Sequence, residues 1–388
     1  MRRLRSALAA ALLIAASTTV GLAAVEGVLR AYNPLPMRTH GDRIVLPQNM
    51  RYVATAIAAN GLDDRVIHTK NALGFRGAPL PDAPSGALTI LAIGGSTTEC
   101  FYLSDGQDWP ALVRAELDET LDRVWLNNAG LDGHSTFGHQ VLLRQFVADL
   151  SPDVVIYLVG ANDVGLSREK QDDRRLGKSL SWSDPRAAVR SLAQVSELAG
   201  LLLNVYRSWH TVQLGLAHGA FLIPKDPSEF RPPSARTPRG EAAALLQSHE
   251  GYRTLFRERL FGLVSETQTA GILPVLVTQP LLFGEATDPS TGVDLGTIEV
   301  SMWGVLADGA TQWQLLESYN DVTRSVARET GVPLVDLAAK LPKSSEYYYD
   351  AMHFGRPGAV AVARILAADL CAVLAANFPT HAVRRSPT

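Results

Sequence analysis

The sequence predicts an α/β protein built on a flavodoxin-like, doubly wound parallel sheet of about five strands, with a helical insertion after the third strand. Three observations carry this. Continuous apolar runs alternate with segments of helical spacing, the pattern of a parallel sheet covered on both faces. Short segments rich in Gly, Asn and Ser directly follow the first three runs, where such sheets hold their ligands. A long stretch, residues 167–250, then separates the third run and its motif from the helix that leads to the fourth run.

The elements run in order. Arg2, Arg3 and Arg5 precede an uncharged run, Ala7–Val25, just long enough to span a bilayer. The arginines should stay cytoplasmic, so that the rest is translocated. Span length favours an uncleaved anchor; a cleaved signal peptide is the alternative, with Gly21 and Ala23 as small residues for a peptidase. Pro34, Pro36, Pro47, Pro81 and Pro84 mark an irregular neck. Leu88–Ile93 ends in Gly-Gly and reads as a buried strand. Asp108–Leu121 is helical, Val124–Leu126 a short strand, His139–Leu150 a helix and Val154–Val159 the third strand. Ser183–Leu222 is helix-prone, and Pro224–Arg239 is rich in Pro and charge, an exposed loop. A helix from about Tyr252 to Thr269 leads to the fourth strand, Ile272–Thr278. Leu281–Ala310 reads as irregular. Trp313–Glu329 is an amphipathic helix, Val332–Leu337 the fifth strand, and Gly358–Phe378 a closing helix with Pro357 near its first position. The expected organisation is residues 1–29 as anchor or signal, 30–85 as neck, 86–379 as the main domain with its insertion at 167–250, and 380–388 as a tail. The insertion is either a lid or an extra helical pair on the flank.

Composition excludes some partners. The chain has 388 residues, 46% hydrophobic and 19% charged, with a formal net charge of -3. There is no basic stripe of the kind nucleic-acid binding requires. Two cysteines, Cys100 and Cys371, cannot build a disulfide framework or a zinc site. They pair only if the helices holding them touch; otherwise they are small buried hydrophobes.

Four separated segments carry the chemistry: Gly94–Glu99, Asn127–Gly130, Gly160–Asp163 and Asp350–His353. A serine hydroxyl is a poor nucleophile until a base takes its proton. His353 can be that base for Ser96, and Asp350 can fix the imidazole tautomer through Nδ1–H. The backbone N–H groups of Ser96 and Gly130 and the side-chain amide of Asn162 can stabilise an oxyanion. Gly130 fits that role because a residue without Cβ lets the backbone approach a substrate. Base chemistry requires neutral His353, so activity should fall on acidification.

Each segment alone has a plainer reading. Gly-Gly-Ser-Thr-Thr after a strand is also the form of a phosphate-binding turn, but no Lys follows in Walker spacing. It is not the Gly-x-Ser-x-Gly elbow, because Thr98 holds the last glycine position. Asp-x-x-His pairs are mostly surface or capping residues, and Asn162-Asp163 fits a turn or an N-cap. Asn128 fits ordinary turn chemistry. His134 and His139 lack a metal-ligand pattern and read as loop and helix-start residues. Tyr347–Tyr349 fits a pocket wall or core packing.

Taken together and in this order, the four segments resemble the SGNH hydrolase superfamily, or GDSL-type esterases and lipases, over roughly residues 88–375. The block-one serine matches Ser96, the block-two glycine Gly130, block three Gly160–Asp163 and block five Asp350–His353. Gly95 stands where many members carry Asp. Asn71–Gly77, reading Asn-x-Leu-Gly-Phe-Arg-Gly, resembles the neck of membrane-anchored members. The resemblance implies a three-layer α/β/α fold and ester hydrolysis with no cofactor and no metal. The implied partners are a small-molecule or polysaccharide ester and, through the N-terminal segment, a membrane. The expected reaction is release of O-acyl groups from extracytoplasmic carbohydrate or lipid. An acyltransferase on the same site, or a non-catalytic envelope protein on this scaffold, would share the motifs.

Overall fold

Five parallel strands form the sheet, in the spatial order β2-β1-β3-β4-β5. They are β1 (Leu88–Gly94), β2 (Val124–Asn128), β3 (Val154–Leu158), β4 (Leu273–Val277) and β5 (Leu334–Val335). The structure is a computed structural model and describes residues 2–33, 37–40, 42–55, 62–81, 86–167, 182, 185–213 and 236–382. The expected loop Pro224–Arg239 and most of the tail lie largely outside them. The chain divides into one unit of Met1–Val45 with Arg175–His218 and another of Leu46–Arg174 with Gly219–Thr388.

The sheet belongs to the second unit. Every residue of β1, β2 and β3 is buried, as continuous apolar strands of a two-sided parallel sheet should be. Register is set by Ile90 opposite both Leu126 and Val154, and by Val154 opposite Leu273. A single helical turn, α1 (Ser96–Glu99), follows β1. Longer helices cover both faces in a three-layer α/β/α arrangement. Trp109–Leu117 (α2) packs on Arg356–Asn377 (α6), while Thr136–Leu142 (α3), Glu250–Thr269 (α4) and Gly309–Thr330 (α5) pack together. The core face of α6 is legible as Val362, Leu366, Leu370 and Leu374, all fully buried. Asp308 caps α5 by accepting the Thr311 N–H at 2.8 Å, and Gly331 ends it at φ 69°.

Four expectations change. The fifth strand shrinks to two residues. Pro333 brings no N–H to the ladder, and Asp336 leaves it to pair with Arg324 and to accept the Thr278 hydroxyl. The helix expected over His139–Leu150 starts at Thr136 and carries a π turn at Leu143–Val147. Leu281–Ala310 holds a hairpin, Glu299–Met302 with Val305–Asp308, turned by Trp303 at φ 52° and Gly304 at φ 78°. The neck holds an antiparallel pair, Arg51–Thr55 with Arg65–Thr69.

In the first unit, Arg2–Ala31 is a single helix, and Ser6–Ala31 is long and apolar enough to cross a membrane. The insertion contributes helices Pro185–Ala193 and Glu197–Gln213. Helix α6 passes the same length test, but its buried stripe makes it a core helix.

Candidate active site

Ser96 opens α1 immediately beyond β1. That entry requires two glycines. A Cβ on Gly94 would reach 2.5 Å from the Leu158 carbonyl oxygen, and one on Gly95 would overlap Asn162 Nδ2. The Asn162 amide therefore occupies the space that an Asp side chain at position 95 would need.

The chain brings Ser96, His353 and Asp350 together across 257 residues of separation. His353 Nε2 lies 2.8 Å from Ser96 Oγ, and its Nδ1 lies 2.6 Å from Asp350 Oδ2. With Nδ1–H donated to the carboxylate, Nε2 is the acceptor for the serine hydroxyl. Asp350 Oδ1 accepts the N–H groups of Met352 and His353 at 2.9 and 2.8 Å. One carboxylate thus holds both the ring and its loop. Tyr349 stacks on the His353 ring, centroids 5.5 Å apart and planes 10° off parallel. Its N–H donates to the His353 carbonyl, while Leu282 N–H ties Ala351 to the loop after β4. This arrangement can pass a proton from Ser96 Oγ to His353.

Asn162 and Gly130 reach the same sheet edge by different means. Asn162 Nδ2 donates to the His134 carbonyl at 2.9 Å and lies against Gly95, which leaves its second N–H for another acceptor. The neighbouring Asp163 is fully buried, accepts the Thr136 hydroxyl at 2.5 Å and pairs with Arg259 at 3.1 Å. Burial pushes its carboxyl up, against the pull of Arg259. Gly130 N–H donates to Asn128 Oδ1 at 2.9 Å. A Cβ at Gly130 would meet the backbone of Thr98 and Glu99. The glycine is thus required by the chain's own close packing on the serine turn.

A second layer of polar groups holds that turn. Arg76 is 2% exposed, and its guanidinium donates to the carbonyls of Glu99, Cys100 and Leu103 at 2.7, 2.9 and 2.9 Å. Asp108 balances it at 3.4 Å. The backbone of Arg76 exchanges two hydrogen bonds with Asn128. Asn128 in turn donates to the Thr98 carbonyl at 2.6 Å and to Asp108 at 2.9 Å. Glu99 accepts the Asp132 N–H at 2.6 Å and pairs with the buried Lys70 at 3.4 Å. Burial pushes the Lys70 ammonium down, opposed by Glu99. The Asn71–Gly77 segment is therefore a clamp between the serine turn and the Gly130 loop. Its residue types fit: Asn71 Oδ1 accepts the N–H groups of Leu73 and Phe75, and Gly77 turns at φ 125° against Asn127.

Gln279 lies in none of the four sequence segments. It follows β4 as Ser96, Gly130 and Asn162 follow the first three strands, and that position is its only signal in the sequence. Its Oε1 accepts the Thr97 hydroxyl at 3.1 Å, and Asn320 fixes its backbone. With Gly95, Ser96, His134 and Met352 it lines a recess of about 10 Å³. His139 lies beneath, fully enclosed, and burial pushes its imidazole down to about 4. Burial pushes the Cys100 thiol up to about 12, which leaves it protonated and inert. Cys100 and Cys371 are both free and do not pair. Among the described residues, no His, Cys, Asp and Glu cluster could hold a metal ion.

The three-layer fold places a serine, a histidine and an aspartate in hydrogen-bonded sequence at the carboxyl edge of its parallel sheet. The family model described as GDSL-like Lipase/Acylhydrolase matches residues 92–361, and the chain belongs to that family. It is a carboxylic ester hydrolase. Among solved structures, it is similar to the acetylxylan esterase Axe2 from Geobacillus stearothermophilus, at 16% identity over 72% of this chain and 93% of that one, with a TM-score of 0.40. It is also similar to LAE5, an alpha/beta hydrolase enzyme from the metagenome of Lake Arreo, Spain, at 17% identity over 74% and 96%, with a TM-score of 0.38. No curated protein matches the chain.

Proposed function

We propose that the chain is a serine esterase that removes short acyl groups, acetyl foremost, from extracytoplasmic carbohydrate. The observation that carries this is the unbroken Ser96–His353–Asp350 relay. Ser96 Oγ attacks the ester carbonyl carbon as its proton passes to His353 Nε2. Asp350 stays ionised, orients the ring and stabilises the imidazolium. The oxyanion is held by the N–H of Ser96 and by Asn162 Nδ2. Gly130 N–H joins them by exchanging the Asn128 oxygen for the substrate's. The C–O bond then breaks, and His353 returns the proton to the leaving alcohol oxygen. Water, deprotonated by the same histidine, attacks the acyl-serine carbonyl and releases the acid and free Ser96.

Two features support the finer reading of the substrate. The recess beside Ser96 is no larger than about one water molecule, which favours the smallest acyl groups over long chains. From His353 a chain of rings runs outward through Tyr349, Tyr102 and Phe101, with neighbouring centroids 5.4 to 6.0 Å apart. Tyr349 is buried, while Tyr102 and Phe101 are partly exposed, and such aromatic faces suit the apolar face of a sugar ring. The N-terminal helix supports an extracytoplasmic location for the rest of the chain.

The test uses a fluorophosphonate probe and the p-nitrophenyl esters of acetate, butyrate and octanoate, with Ser96→Ala alongside. Labelling and hydrolysis should disappear in Ser96→Ala, a loss of about 10³-fold or more, and acetate should be the fastest ester. Retained activity in the variant would overturn the assignment of Ser96. A preference for octanoate would overturn the short-acyl reading.

A further inference from the structure

The N-terminal helix is built into the fold of the insertion. Glu26, in its next-to-last turn, accepts hydrogen bonds from Ser196 Oγ at 2.8 Å and from the N–H groups of Glu197 and Leu198 at 3.0 and 3.1 Å. Those are donors at the start of helix Glu197–Gln213 that have no partner within the helix. Asn33 Nδ2 donates to Glu197 Oε2 at 2.6 Å. Gly200 is buried and leaves room for Met37, whose side chain a Cβ there would crowd. A carboxylate at the end of a bilayer-length helix thus caps a helix inserted some 170 residues later.

That second helix turns an apolar face outward. Leu202, Val205, Tyr206 and Trp209 recur at helical spacing on one side, and each is between 48% and 61% exposed. Val189, Leu192 and Val195 continue the exposed apolar surface on and just after helix Pro185–Ala193, at 47% to 53%. The N-terminal helix itself exposes Leu8 through Val28 at 46% to 73%. In water, such contiguous apolar surface is unfavourable. The end of a spanning helix lies at the lipid interface, and Trp and Tyr concentrate at that depth. An apolar helical stripe docked there has the form of an interfacial helix.

We infer that the insertion helices Pro185–Ala193 and Glu197–Gln213 form, with the uncleaved N-terminal helix, a module that rests on the bilayer with Leu202, Val205, Tyr206 and Trp209 in lipid. This rests on the reading of the N-terminal segment as a membrane anchor and extends it. It gives the insertion a role in lipid contact instead of covering substrate. A peptidase cut beside Gly21 and Ala23 would leave Glu26 on the mature chain but remove most of the helix that positions it.

The test places the full chain in vesicles of phosphatidylcholine and phosphatidylglycerol in equal parts. Tryptophan emission is measured with and without brominated acyl chains, for wild type and for Trp209→Phe. The expected result is strong lipid quenching in wild type and a clear drop in the quenched emission for Trp209→Phe. Glu26→Ala should still float with the vesicles but lose part of the Trp209 quenching. Equal quenching in wild type and Trp209→Phe, with flotation intact, would overturn the inference and leave the anchor standing. Quenching of Trp209 by aqueous iodide would place the face in water and overturn it too. Shielding from both quenchers would mean that a second copy covers the face, which would overturn it as well. Failure of the chain to float would instead sink the anchor reading.

Discussion

The two units of this protein invert one another's rules. The catalytic unit buries charge: Arg76, Lys70, Asp163 and Arg259 are all 8% exposed or less. The unit of the N-terminal helix and the insertion exposes Leu, Val, Tyr and Trp side chains along helical faces. Both are unfavourable in water unless something compensates. In the catalytic unit the compensation is visible in the partners. Arg76 meets three carbonyls and Asp108, Asp163 meets Arg259 and Thr136, and Lys70 meets Glu99. These groups hold the backbone of the serine turn and the loops beside it, which no apolar contact could do with equal directionality. In the other unit the apolar stripe stays about half exposed, and the compensation proposed above is lipid. Buried charge holds geometry in the catalytic unit; exposed apolar surface in the other unit calls for a partner that excludes water.

Substitutions can break or sharpen this contrast. The largest effect on stability should come from Arg76→Met, which keeps the bulk but leaves the Glu99, Cys100 and Leu103 carbonyls and Asp108 without their cation. Removing one partner of a buried charge network costs about 3–5 kcal/mol. Urea unfolding should show it, and a cost under about 1 kcal/mol would mean that the clamp is dispensable. Next comes Asn162→Ala. If its amide faces the oxyanion, kcat on p-nitrophenyl acetate should fall about 10²–10³-fold with KM little changed. A pure rise in KM would make Asn162 a ground-state binder. Third are the buried imidazoles. Burial pushes His68 down to about 4, helped by Arg76 and Lys70, and His139 likewise to about 4. The unfolded chain then binds more protons between pH 6.5 and 4. The stability that each neutral ring contributes is full above pH 6.5 and is lost as pH falls through 4. Between pH 7 and 5 that is about 2 kcal/mol for each. His139→Gln should flatten the stability profile by its share, and an unchanged slope would show that His139 does not titrate with unfolding.

The parts that the sequence shows and the parts that it hides differ in range. Strands β1 to β4 are legible because burial on both faces leaves an uninterrupted apolar run. The segments holding Ser96, Gly130, Asn162 and Asp350–His353 are legible because each sits beside such a run or in a recognisable pattern, and the topology carries them to one edge. The hairpin at Glu299–Asp308 is hidden because its turn residues are Trp303 and Gly304, where Asn-Gly would have announced it. The shortened β5 is hidden because Asp336 leaves the ladder for a side chain on α5, a tertiary choice. Arg76 is visible only as a letter in a neck motif; its three carbonyl partners lie 23 to 27 residues away. Glu26 reads merely as the end of an uncharged run, since nothing local says that its carboxylate caps a helix 170 residues on. Gly130 teaches the same lesson differently: the residue type is legible, and the neighbour that demands it is not.

The smallest expected effect is the sharpest probe of the contrast. Leu202→Ser removes an apolar side chain that is 61% exposed. In detergent-free buffer such a surface change should alter folding stability by no more than about 0.5 kcal/mol. Ile90→Ser, in the fully buried centre of β1, should cost several kcal/mol by the same measurement, because it loses the transferred area and leaves a cavity and a buried hydroxyl. On vesicles the order should reverse. Leu202→Ser withdraws apolar area from the stripe proposed to face lipid and should weaken the Trp209 quenching, whereas a folded core variant should leave that quenching alone. Should Leu202→Ser destabilise the fold as Ile90→Ser does, the stripe is an internal packing face. The distinction between the two units would then be one of degree.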